Sequence, residues 1–128
     1  MHDVIVVGAG NAALAAAVAA REAGASRVLA LEKAPEPLRG GNTHYSGGLL
    51  RFAFDRAQDL LPIVPNVEKQ VPGFMLGVQP YPRTLFWDDL RRVTEDRTHP
   101  ELGELLISRS YDTVRWMGDE MAKRADFA

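Results

Sequence analysis

The chain has 128 residues, 46% of them apolar, a formal net charge of -2 at neutral pH and no cysteine. That is material for one small domain with a modest core, without the charge excess that marks a nucleic-acid or anionic-membrane binder. The missing thiols exclude disulfides, thiolate catalysis and cysteine-held zinc or iron–sulfur within the chain, and His2, His44 and His99 are too scattered for metal-ligand spacing, so no metal is expected.

In chain order, Asp3 is followed by the β-branched run Val4–Val7, of the kind buried in a parallel sheet. Gly8 permits a tight turn off that strand, and Gly10 lacks the Cβ that would keep a pyrophosphate away from the backbone. Ala13 stands where a third glycine is often found and is small enough for a helix to pack closely on the strand. A helix over 11–23 then aims its unpaired amides and positive dipole end at the phosphates, and Gly24 suits its C-cap. Arg27 to Glu32 is a second strand closed by a carboxylate able to accept ribose hydroxyls. The order of strand, turn, helix, cap, strand and acid is the dinucleotide-binding fingerprint; the alternative is a βαβ unit without ligand.

Lys33–Leu38 forms a short proline-bearing loop, and Arg39–Leu49 follows with two glycine pairs, Gly40–Gly41 and Gly47–Gly48, around Asn42, Thr43, His44, Tyr45 and Ser46. A plain NAD-binding domain is expected to enter another crossover helix here. The double-glycine run suits either a second backbone clamp on a longer cofactor or an ordinary flexible loop. Directly after the Glu32 fingerprint it favours FAD over NAD.

From Asp55 to Pro82 five prolines punctuate the chain, so an irregular excursion is expected, with a short helix near 55–61. Phe74, Met75, Leu76 and Val78 read as glue fixing this loop to the body, with a substrate lid as the alternative. Phe86 to Glu95 carries a one-sided stripe of Phe86, Leu90 and Val93. Thr98-His99-Pro100-Glu101 reads as a capping box opening a helix to about Arg124, with Leu102, Leu106, Ile107, Val114, Met117 and Met121 as its packed face. The arginines of these helices are interleaved with acids and read as a solvated surface. The first strand starts directly after Met1 and His2 and the Ala-rich helix is too short for a bilayer, so a cytoplasmic chain without membrane insertion is expected.

The run Gly8-Ala9-Gly10-Asn11-Ala12-Ala13, the pair Glu32-Lys33, and Gly40-Gly41-Asn42-Thr43 with Gly47-Gly48 resemble the amino-terminal part of the fumarate reductase/succinate dehydrogenase flavoprotein superfamily. Within it the chain is most similar to the tricarballylate dehydrogenase branch. The likeness continues through Phe86-Trp87-Asp88-Asp89-Leu90 and Arg115-Trp116-Met117. It implies an α/β fold: a Rossmann-like FAD-binding βαβ unit, a following loop region and two carboxy-terminal helices, together one incomplete domain. Its expected parts are a dinucleotide-binding core over 1–50, a proline-rich excursion over 51–84 and a helical part over 85–125.

The resemblance further implies that Gly8, Gly10, Asn11 and Ala12 line the pyrophosphate turn and that Glu32, followed by Lys33, meets the adenosine ribose. Gly40 and Gly41 open the second loop, Asn42 and Thr43 reach the cofactor from it, and Ser46, Gly47 and Gly48 run beside the flavin end. Soluble fumarate reductases have one more residue between the Asn-Thr pair and the second glycine pair, which shifts the register of His44, Tyr45 and Ser46. The histidine that succinate dehydrogenases join to their flavin corresponds to Gly41, so noncovalent FAD is expected. The implied reaction removes or adds hydrogen across a C–C bond of a small di- or tricarboxylate. The implied partners are that substrate, the remainder of the flavoprotein or a separately encoded electron acceptor. No catalytic acid or base is assignable in this chain; a non-catalytic nucleotide-binding remnant and an NAD-binding module are the alternatives.

Overall fold

A computed structural model describes residues 1–125. Two compact units are formed, one of Met1–Leu49 and a second that begins at Leu50.

In the first unit, strands β1 (Val4–Val7) and β2 (Val28–Leu31) pair in parallel, with Val4 opposite Val28 and Val7 opposite Leu31. Parallel pairing requires a crossover, and helix α1 (Asn11–Glu22) supplies it, packing on both strands. Seven of its twelve residues are alanine, the best helix former. The helix ends as Gly24 implies: with Gly24 at φ 97°, its amide donates to the Arg21 carbonyl and that of Ala25 to the Ala20 carbonyl, a Schellman arrangement. The Asp3 carboxylate accepts from the amides of Ser26 and Arg27 and fixes the entry to β2.

The α/β architecture expected from the sequence is present. One detail of it differs. Val4 and Val6 are half-buried, but Ile5 and Val7 are 56% and 83% exposed. With α1 as the only helix packed on a two-stranded sheet among the described residues, one face of β1 is covered, not two.

The second unit is built around Ala53, Phe86 and Ile107, with Tyr81, Trp87 and Leu90 packed against them. The proline-rich excursion is irregular as expected, and the short helix expected near 55–61 is a 3₁₀ turn at Ala57–Leu60; two single-turn helices, α2 (Val67–Gln70) and α3 (Phe74–Gly77), were not expected. Phe74 and Leu76 are exposed and Met75 and Val78 half-buried, so the reading of all four as glue holds for only two. A bridge between Phe54 and Tyr81 returns the chain to helix α4 (Arg83–Thr94), which starts three residues before the apolar stripe because Pro82 precedes its first turn in an extended conformation. Val93 of that stripe faces solvent.

Helix α5 (Pro100–Ala125) also departs from its predicted face. Leu102 and Leu106 are exposed, and the buried positions are Gly103, Ile107 and Ser110. Thr98 does not stand out as the cap: its hydroxyl meets that of Thr94 at 2.6 Å, and the His99 carbonyl accepts the Gly103 amide. Among the described residues no helix is long and apolar enough to cross a membrane.

Candidate functional site

The site is built where β1 runs into α1. Gly8 sits at φ 121°, a backbone state that side chains rarely allow, and its amide donates to the Leu31 carbonyl at 2.6 Å, closing the turn on β2. A Cβ at Gly8 would lie 3.5 Å from the Cβ of Ala13, so turn and helix are in contact there, as the small residue at position 13 suggests.

The amides that follow divide into two sets. That of Ala9 donates to Glu32 Oε2 at 3.0 Å and that of Asn11 to Thr43 Oγ1 at 3.0 Å. The amides of Gly10, Ala12 and Ala13 have no hydrogen bond among the described residues. These three donors lie at the positive end of a twelve-residue helix with no acid in its first turn. Such an end is an anion-binding site.

Glu32 immediately follows β2, and its carboxylate is used by the backbone on several sides. Oε1 accepts the Ala34 amide at 2.9 Å; Oε2 accepts that of Ala9 and, at 3.5 Å, that of Gly40. The Ala34 amide above all, with those of Gly40 and Ala9, holds the Glu32 carboxyl below the usual carboxylate range, so it is ionised at neutral pH. A carboxylate has about four acceptor sites, so capacity remains for a ribose hydroxyl.

The second loop is closer than the sequence implied. Gly40 is buried, and the chain then makes a 3₁₀ turn over Gly41–Tyr45. Thr43 is half-buried, whereas Gly41, Asn42, His44 and Tyr45 are exposed. Within the run the amides of Thr43, Ser46 and Gly48 are engaged internally, with the Ser46 hydroxyl donating to the Thr43 carbonyl and accepting from Gly48. Gly47 and Gly48 are exposed, as is Lys33. The rings of His44 and Tyr45 meet edge to face with centroids 5.0 Å apart.

Gly10 has a further reason for being glycine beside the expected one. A Cβ there would come within 3.1 Å of the Gly40 carbonyl oxygen and 3.3 Å of Thr43 Oγ1. The close approach of the second loop also needs that space. Sequence reasoning brought Gly8, Gly10, Asn11, Ala12, Glu32, Gly40 and Thr43 to one place, and the structure assembles them. It did not single out Ala9 as a partner of Glu32, because that bond is made by a backbone amide and leaves no trace in residue type.

The two glycine runs thus converge on one acid and one helix end. The chain belongs to the FAD binding domain family. The match extends over residues 3–125. The chain is 31% identical over 115 residues to the fumarate reductase (cytochrome) of Shewanella frigidimarina, covering 90% of this chain and 17% of that protein. It is 30% identical over 118 residues to the NADH:fumarate oxidoreductase of Klebsiella pneumoniae, covering 92% of this chain and 11% of that one. It therefore spans less than a fifth of the length of these relatives. No solved structure matches it. The resemblance to the fumarate reductase flavoproteins thus holds at the level of the superfamily, and FAD is the cofactor of the FAD binding domain to which the chain belongs. The free amides of Gly10, Ala12 and Ala13 beside an ionised Glu32 fit the diphosphate and ribose of that cofactor.

A cavity of 420 Å³ in the second unit, among Phe54, Arg56, Arg83, Ser108, Tyr111 and Asp112, includes none of the cofactor-site residues expected from the sequence.

Proposed function

We propose that this chain is the amino-terminal FAD-binding portion of a flavin-dependent dehydrogenase or reductase acting on a small di- or tricarboxylate. The observation that carries the reading is the Glu32 carboxylate bonded to Ala9, one residue before three free amides at the start of α1. The amides of Gly10, Ala12 and Ala13 bind the diphosphate, and Glu32 accepts the hydroxyls of the adenosine ribose. Asn42 and Thr43 face the cofactor from the second loop; Ser46, Gly47 and Gly48 lead toward its flavin end. When bound, FAD supplies hydride chemistry at its ring. This chain's residues grip and orient the nucleotide half.

The substrate class is supported by the names of the relatives, both of which concern fumarate, a dicarboxylate. Tricarballylate is the finer reading, from the likeness of the motifs to that branch. Noncovalent attachment is supported by Gly41, a residue without a side chain at the position where succinate dehydrogenases carry the histidine joined to their flavin. The acid and base that complete the reaction, and the contact with an electron acceptor, belong to polypeptide beyond this chain. The working compartment is the cytoplasm.

The test is the absorbance spectrum of the protein purified from cells, repeated on the supernatant after heat release. A flavin spectrum that moves into the supernatant is expected. A colourless, folded protein that also fails to quench added FAD would overturn the reading.

A further inference from the structure

Helix α1 has no capping side chain of its own, because its N-cap residue is Gly10. The hydroxyl of Thr43, thirty-two residues along the chain, takes that place by accepting the Asn11 amide at 3.0 Å. Beside it the Glu32 carboxylate spans the Ala9 amide of the first turn and the Gly40 amide of the second loop. The bonds to Thr43 and Gly40 need the second loop against the first, and a Cβ at Gly10 would stand 3.1 Å from the Gly40 oxygen and 3.3 Å from Thr43 Oγ1, so its absence permits that approach. Thr43 and Glu32 therefore have a task apart from any contact with a cofactor.

We infer that Thr43 is a positioning residue that, together with Glu32, joins the two glycine loops into one clamp by capping α1 from the second loop. Capping by Thr43 removes one of the four unpaired amides of the helix end and holds the others in a fixed array. Glu32 fixes the Gly8–Ala9 peptide, whose amide it accepts, at the entry to the array. The diphosphate then meets donors already aimed, instead of two loops that have to be ordered on binding. The consequence for cofactor retention rests on the FAD reading above; the clamp itself does not.

The full chain is compared with Thr43→Val, which keeps the shape and removes the acceptor, and Thr43→Ser, which restores it. Amide hydrogen exchange at Asn11 reads the cap directly. FAD affinity, from quenching of flavin fluorescence, reads the consequence. Thr43→Val is expected to speed exchange at Asn11 selectively, with Val18 in the middle of α1 unchanged as the control for folding of the first unit, and to weaken FAD about tenfold. Thr43→Ser is expected to return both to near the original. Unchanged exchange at Asn11 in Thr43→Val, or no rescue by serine, overturns the inference. Thr43→Ala replaces the valine variant if the Val18 control shows that the first unit does not fold. If the original chain binds no FAD, the FAD reading falls and exchange at Asn11 alone decides the clamp.

Discussion

The carboxylate of Glu32 lies 3.0 Å from the amide nitrogen of Ala9, so the acid that follows β2 is tied to the turn that follows β1. Replacing it therefore removes two things at once, the acceptor for a ribose and the support of the turn. Glu32→Ala is expected to lower FAD affinity by about tenfold or more, since hydrogen bonds to charged groups are the stronger kind. Glu32→Gln keeps an acceptor oxygen and loses the charge, so it should fall between. Titration of flavin fluorescence checks the order. Equal affinity in all three proteins would mean that Glu32 touches neither the ribose nor the amide array.

Acid should act through the same group. The Ala34, Gly40 and Ala9 amides hold the Glu32 carboxyl below its usual range in the folded protein. Its contribution is then complete above the ordinary glutamate value of about 4.3 and is lost as pH falls through the lower folded value. FAD retention is expected to be flat from neutral pH down to that region and to drop below it. In Glu32→Gln the drop attributable to this group should disappear. A midpoint near neutrality, unchanged in Glu32→Gln, would assign the pH dependence to another group.

Gly10 tests the approach of the loops by size. With the Gly40 oxygen 3.1 Å from the position of an added Cβ, alanine requires a shift of a few tenths of an ångström. Valine adds two further methyl groups and admits no such adjustment. Gly10→Ala should bind FAD more weakly and Gly10→Val not at all, measured as flavin content per protein after purification. Full colour in Gly10→Val would place the cofactor elsewhere.

The fingerprint was legible because its pieces are local. Val4–Val7, Gly8, the alanine helix and Glu32 each state a backbone requirement in residue type, and their order states the fold. What lay beyond reading was pairwise and distant. Nothing in Thr43 announces a bond to Asn11, and Gly10 gives no sign whether a phosphate or a second loop takes its empty volume. The helices of the second unit show the same limit in a different form. Counting apolar side chains put Leu102 and Leu106 inside with Ile107, whereas both leucines are exposed and Gly103 and Ser110, with little or no side chain, are buried beside Ile107. A stripe reading weighs hydrophobicity and is blind to close approach.

Ser110 gives a stability prediction. Its hydroxyl is buried, accepts the Ala53 amide at 3.0 Å and donates to the Ile107 carbonyl. Ser110→Ala strands the Ala53 amide in the core of the second unit, at a cost of roughly 1–3 kcal/mol. Thermal unfolding followed by circular dichroism should show a lower midpoint. An unchanged midpoint would mean that water reaches that amide.

Gly103 carries the sharper test of the same packing. An added Cβ would fall 2.4 Å from Trp87 Cη2 and 2.9 Å from the Thr98 Cγ2 methyl, so the indole lies flush on the backbone of α5. Alanine favours a helix over glycine by roughly 1 kcal/mol. Overpacking costs typically 1–3 kcal/mol, and at 2.4 Å the ring has to move, so the steric cost wins. Gly103→Ala is expected to lower the unfolding midpoint and to shift Trp87 emission to the red as the ring leaves the core. Trp87→Leu in the same chain should relieve the clash, leaving the double variant less destabilised than the two single changes added together. Simple additivity would show that Gly103 and Trp87 are not in contact.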